Sequence, residues 1–166
     1  MIRMHWLPFA ALLSLSHLAL AQHTLNPQQK RGHELFVASQ KGTACATCHS
    51  LAGEGSAVGP DLTMLGSLAT PAGLKIAILS TQTAYVQAVK MKGKTFPGMK
   101  AAEDAKTVDY YDLSQNPPAR RKLNKSDIDS ASGNSQWKHP PESTGYSEDE
   151  LQDVIAYVRY AAKLKN

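Results

Sequence analysis

Cysteine is scarce in this chain: two residues among 166, Cys45 and Cys48. No second Cys or His pair stands at close spacing, which excludes the usual four-ligand zinc site. No βαβ pattern with a strand leading into the cysteines is evident, and a thioredoxin-like redox disulfide would want one. Charge of one sign is not in large excess either. Eighteen Lys and Arg stand against fourteen Asp and Glu, a net charge of +4, and nothing in that overall balance demands nucleic acid. No Ser/His/Asp set, phosphate-binding glycine loop or internal repeat is evident, and the carboxylates Asp109, Asp112, Asp127 and Asp129 read as scattered turn or strand-edge groups. No apolar run reaches the ~18 residues of a membrane-spanning helix.

What is present is compact. The two cysteines fall in Cys45-Ala46-Thr47-Cys48-His49. Two thiols at this spacing, closed by an imidazole, form the attachment site of a c-type haem. Each thiol adds to one vinyl group as a thioether, the two-residue gap spans the two vinyl positions, and His49 lies beneath the iron as its proximal ligand.

The start of the chain fits that reading. Arg3 precedes the mostly apolar Leu7–Leu20 stretch, and Ala19-Leu20-Ala21 closes it in a small-x-small pattern. Residues 1–21 therefore read as a secretory signal peptide cut after Ala21, which implies a periplasmic or secreted product. Losing Arg3 lowers the net charge of +4 by one, to +3. The remainder, 22–166, is one domain long, with no membrane span.

Asn26-Pro27 opens a first helix as cap and first turn, with His33, Phe36 and Val37 at helical spacing and Gly42 past its end. Gly53, Gly55, Gly59 and Pro60 then predict an extended loop, and Thr70-Pro71 a second helix through Leu79. From Tyr85 the apolar residues alternate. Strands are expected over 85–91, 95–101, 106–113 and 120–128, a small antiparallel meander at 85–130. The polar 130–145 segment reads as a loop. Ser147 and Glu150 form a capping box for the strongest helix, whose stripe is Leu151, Val154, Ile155, Val158 and Ala162. Arg120, Arg121, Lys122 and Lys125 offer either a docking patch for an acidic partner or a solvated loop face, the second being favoured.

In this order the chain resembles a class I c-type cytochrome. Gly32 and Phe36 match the family's Gly-x-x-x-aromatic pair on the first helix. Cys45, Cys48 and His49 match its haem motif, and Gly59-Pro60-Asp61-Leu62 its Gly-Pro-x-Leu. Ser147, Glu150, Leu151 and Tyr157 match its closing helix. The resemblance implies a mainly α cytochrome c fold, with first and last helices crossing around one covalent haem c and its Fe. It implies that the Pro60 carbonyl accepts a hydrogen bond from His49, raising that ligand's basicity. The 85–130 segment departs from a minimal cytochrome and looks like the β-insertion of larger bacterial haem-binding domains.

The same resemblance frames the sixth ligand. The family places Met-Pro six residues before the Ser cap, and here that position reads His139-Pro140. His139 is favoured, giving bis-His ligation and a lower potential than His/Met. Met99, in Phe96-Pro97-Gly98-Met99, is the alternative, Met91 and Met64 are weaker, and Trp137 is a candidate for the haem edge. The expected role is an electron carrier, not an enzyme. It would take electrons from a periplasmic dehydrogenase and pass them to another cytochrome or an oxidase. The rivals are a haem subunit of a quinoprotein-type dehydrogenase complex and a haem enzyme or gas sensor with a labile sixth ligand.

Overall fold

A computed structural model describes residues 24–38, 41–80, 85–140 and 145–165. The expected signal peptide, 1–21, lies outside the described residues, as does Pro141–Thr144 of the loop before the last helix.

Helix α1 (Pro27–Val37) begins on a capping box: the Asn26 side chain accepts from the Gln29 amide, and Gln29 Oε1 accepts from the Asn26 amide, both at 2.9 Å. A 3₁₀ turn over Cys45–Thr47 carries the cysteines, followed by a two-strand hairpin, β1 (Ser50–Leu51) and β2 (Glu54–Gly55). Helices α2 (Thr63–Leu68) and α3 (Pro71–Leu79) come next. The last helix, α4 (Glu148–Lys163), also starts on a capping box, made by Ser147 and Glu150.

Gly32 sets the crossing of α1 on α4. A Cβ there would lie 1.9 Å from the Asp153 carbonyl oxygen and 2.8 Å from Tyr157 Cβ, so only a bare backbone fits. Beside it the Arg31 guanidinium grips buried Asp153 through two hydrogen bonds of 2.7 and 2.9 Å. Phe36, Leu51, Leu74, Val154, Ile155 and Val158 make the core beneath.

The expectation of a mainly α fold is wrong. Among the described residues 37% are helical and 27% lie in strands, and the strands build a five-stranded antiparallel sheet. Strands β3 (Val86–Met91), β4 (Lys94–Glu103), β5 (Thr107–Asp112) and β6 (Ala119–Asn124) follow one another as hairpin neighbours. A fifth, β7 (Ser130–Gly133), pairs with β3 on the other edge, where a loop was expected. The sheet encloses its own core of Val89, Phe96, Val108, Tyr110 and Leu123, separate from the helical one. That second core is the physical reason the fold is of α+β type and not mainly helical. At Gly98 a Cβ would come within 2.7 Å of Val89 and 3.0 Å of Tyr110, so the β4 backbone presses directly on this core.

Candidate haem site

Helices, loop and sheet close around one cavity of about 560 Å³, within the ~300–1,000 Å³ range of small-ligand and cofactor pockets. Cys45, Cys48 and His49 line one side, and Val58, Pro60 and Leu62 continue it along the following loop. Leu65 of α2 and Ile76 and Ile78 of α3 add aliphatic wall. The sheet contributes Val86 and Met99, with Tyr85 and Leu113 beside it, and the 134–140 segment contributes Trp137 and His139.

The His49 side is held rigidly. The Cys48 carbonyl accepts from the Gly59 amide at 2.6 Å, and the Ala46 carbonyl accepts from the Ser56 amide at 3.0 Å. Asp61 accepts from the Ser50 hydroxyl at 2.5 Å and from the Thr63 amide at 2.7 Å, and these bonds hold its carboxyl below the usual carboxylate range. The loop so fixed aims the Pro60 carbonyl at His49, whose Nδ1 lies 2.7 Å away. A carbonyl only accepts, so Nδ1 is the donor, and in the neutral imidazole the lone pair then lies on Nε2. Gly59 lies flat against the ring, since a Cβ there would approach His49 Cε1 to 2.7 Å.

Across the cavity His139 is oriented in the same manner. Its Nδ1 donates to the Ile78 carbonyl at 3.1 Å. Ile78 sits in the last turn of α3, where carbonyls have no partner within the helix. In its neutral form His139 likewise carries its ring lone pair on Nε2. The two imidazole centres are 5.9 Å apart with planes at 84°. Two imidazoles bound to opposite sides of one metal, at about 2 Å each, have centres roughly 6–6.5 Å apart. The Trp137 ring centre stands 6.2 Å from that of His139.

The thiols fit attachment better than redox exchange. Burial pushes Cys45 up to about 11 and raises Cys48 as well, whereas an exchanging Cys-x-x-Cys pair needs a thiol of lowered pKa. Two thiols, two imidazoles whose Nδ1 atoms are turned to backbone carbonyls and an apolar cavity fit the donor set of a covalent haem.

The cytochrome c family model matches residues 29–115, more than half of the chain. The chain belongs to the cytochrome c family. Cytochromes c hold haem c covalently with its iron and exchange electrons with redox partners, so this is a haem-containing electron-transfer protein. No curated protein matches the chain. Among the described residues no helix of this cytochrome is long and apolar enough to cross a membrane.

Of the residues singled out in the sequence, Cys45, Cys48, His49, Pro60, Met99, Trp137 and His139 all line the cavity. Met64 does not: it is 72% exposed on α2. Met91 packs against the core of the sheet. The basic segment is largely neutralised within the sheet. Arg120 pairs with Asp109, Arg121 pairs with buried Asp112 and covers the Phe96 ring at 4.4 Å, and Lys125 pairs with Glu103. Sequence reasoning missed the Ile78 carbonyl and the apolar walls from Val86 and Leu113. The apolar spacing of α3 was visible, but nothing in it marked a carbonyl that would meet a histidine 61 residues away.

Proposed function

We propose that this cytochrome holds one haem c, attached through Cys45 and Cys48, and that His49 and His139 would ligate its iron. The observation that carries this reading is the pair of imidazoles that line one cavity with ring centres 5.9 Å apart, each fixed through Nδ1 by a backbone carbonyl. The bound haem supplies a one-electron centre that alternates between ferric and ferrous iron. The protein's part is to keep that centre's surroundings the same in both states. Pro60 holds His49 in one tautomer and increases its electron donation, and Ile78 does the same for His139. The aliphatic walls and the sheet give the cavity a mostly apolar lining. Two imidazoles favour the ferric state more than an imidazole with a thioether, so the potential is low for the family. Met99 is the alternative to His139, because it lines the same cavity.

Residues 1–21 act as an export signal in this reading, and the mature protein works in the periplasm. It carries single electrons from a dehydrogenase to another cytochrome or an oxidase, and is not itself an enzyme. The test is the haem content and redox titration of the exported protein. One haem per chain and a reversible one-electron Nernst curve are expected. A chain exported without haem, or one that binds carbon monoxide rapidly when reduced, overturns the reading.

A further inference from the structure

His139 lies in the 134–140 segment, which leaves the edge of the sheet beyond β7 and lines the haem cavity with Trp137, His139 and Pro140. Strand β7 lends this segment no buried side chain, because all four of its residues are exposed. Its place comes from backbone bonds to β3. Before the strand the Asp129 amide donates to the Lys90 carbonyl, and after it the Asn134 amide donates to the Val86 carbonyl, both at 2.9 Å. Val86 is buried and lines the haem cavity, so the ladder ends beside that cavity.

Beyond Asn134 the chain no longer follows β3, and the Asn134 side chain makes the turn. Its Oδ1 accepts from the Gln136 amide and from the Trp137 amide, each at 3.1 Å. An asparagine that caps the amides two and three positions on supplies the acceptor they lose where a strand ends. Trp137 is thereby set in the cavity wall, its ring centre 6.2 Å from that of His139. Two supports of different kinds then act on His139. The Ile78 carbonyl of α3 orients its ring, and the Asn134 turn decides where the chain delivers it.

We propose that Asn134 is a positioning residue for His139, and that through it the sheet carries the second imidazole of the haem site. The proposal rests on the reading that His139 ligates the iron. Asn134 acts through the backbone amides of Gln136 and Trp137, and groups that orient a metal ligand govern how firmly the metal is held.

The test compares haem-loaded wild type with Asn134→Ala, Asn134→Asp and Asn124→Ala. Carbon monoxide reaches the ferrous iron only where the distal ligand has left it, so its binding rate reads the share of molecules in that state. Asn134→Ala should bind carbon monoxide at least about fivefold faster, the weight of one net hydrogen bond, and its ferric spectrum should gain a high-spin fraction. Asn134→Asp keeps a side-chain acceptor for both amides and should return both readouts to wild type. Asn124→Ala removes a hydrogen bond to Asp127 at the end of β6, the far edge of the sheet, and should change neither. Asn134 is half-buried and its bond to Val86 is made by backbone alone, so its variants keep the ladder. His139→Ala separates the proposal from the reading beneath it. If His139→Ala turns high-spin while Asn134→Ala behaves as wild type, the proposal alone is overturned. If the spectrum of His139→Ala matches wild type, the ligand reading falls and the proposal with it. Failure of Asn134→Asp to restore the wild-type rate, or equal acceleration by Asn124→Ala, also overturns the proposal, since either marks a general loosening of the sheet.

Discussion

The closest constraint on the His49 ring comes from Gly59, a residue with no side chain. A Cβ at Gly59 would lie 2.7 Å from His49 Cε1 and 2.9 Å from Nδ1, against about 3.4 Å for an ordinary contact, so Gly59→Ala demands a retreat of about 0.7 Å. The glycine cannot yield, because its amide is tied to the Cys48 carbonyl at 2.6 Å. The ring must move instead, and a shift of that size away from Pro60 would stretch the 2.7 Å bond at Nδ1 to about 3.4 Å, beyond the usual 2.7–3.2 Å of an N–H···O bond. Losing the bond costs about 1 kcal/mol, and overpacking adds roughly 1–3 kcal/mol. A chain of this size loses roughly 2–4 °C of Tm per kcal/mol, so Gly59→Ala should melt about 4–16 °C lower. The lost bond also makes His49 a weaker donor to ferric iron. If the full ~1 kcal/mol is lost from the ferric state, the potential rises by about 40 mV, since 59 mV is tenfold for one electron. Thermal melts and spectroelectrochemical titration measure the two effects. Gly133→Ala is the control, because its added Cβ meets nothing within 4 Å. A Gly59→Ala protein with unchanged Tm and potential refutes the packing of Gly59 on the imidazole.

Gly32→Ala should be at least as damaging, because the added Cβ meets the Asp153 backbone at 1.9 Å and forces α1 off α4. A loss of about 3 kcal/mol, roughly 6–12 °C in Tm, is expected by calorimetry, and a shift below 2 °C would count against the close crossing. Asp104 gives the sheet a pH dependence. Hydrogen bonds from the Thr107 hydroxyl and amide and the Lys106 amide hold its carboxyl at about 2, below its ordinary 3.8. The folded-state pKa is the depressed one, so its stabilisation is complete above pH 4 and fades as pH falls toward 2. Wild type should therefore exceed Asp104→Ala in denaturant midpoint at pH 6, and the gap should narrow by pH 2; a gap that stays constant contradicts this.

The haem motif and the Gly59-Pro60 turn were legible because their chemistry is local: the residues that hold the ring lie within eleven positions of it. The capped last helix was legible from Ser147, Glu150 and a regular apolar stripe. Alternation in Val86–Met91 and Thr107–Asp112 disclosed strands, since one face of each is buried. Strand β7 carried no such signal. All four of its residues are exposed, and backbone pairing to β3 alone defines it. Neither did any local pattern show that Phe96, Val108, Tyr110 and Leu123 would gather into a separate core, which is why the sheet's weight in the fold was underestimated. In one dimension Arg120 and Arg121 read as a docking patch or, in preference, a solvated loop face; across the β5–β6 ladder each meets an aspartate.

The central claim, that His49 and His139 face one iron, is tested most directly by ferric absorption and electron paramagnetic resonance spectra of wild type, His139→Ala and Met99→Leu. The account predicts a low-spin wild type without the sulfur-to-iron charge-transfer band, conversion to high spin in His139→Ala, and no change in Met99→Leu. A sulfur band in wild type that survives His139→Ala and vanishes in Met99→Leu would contradict it.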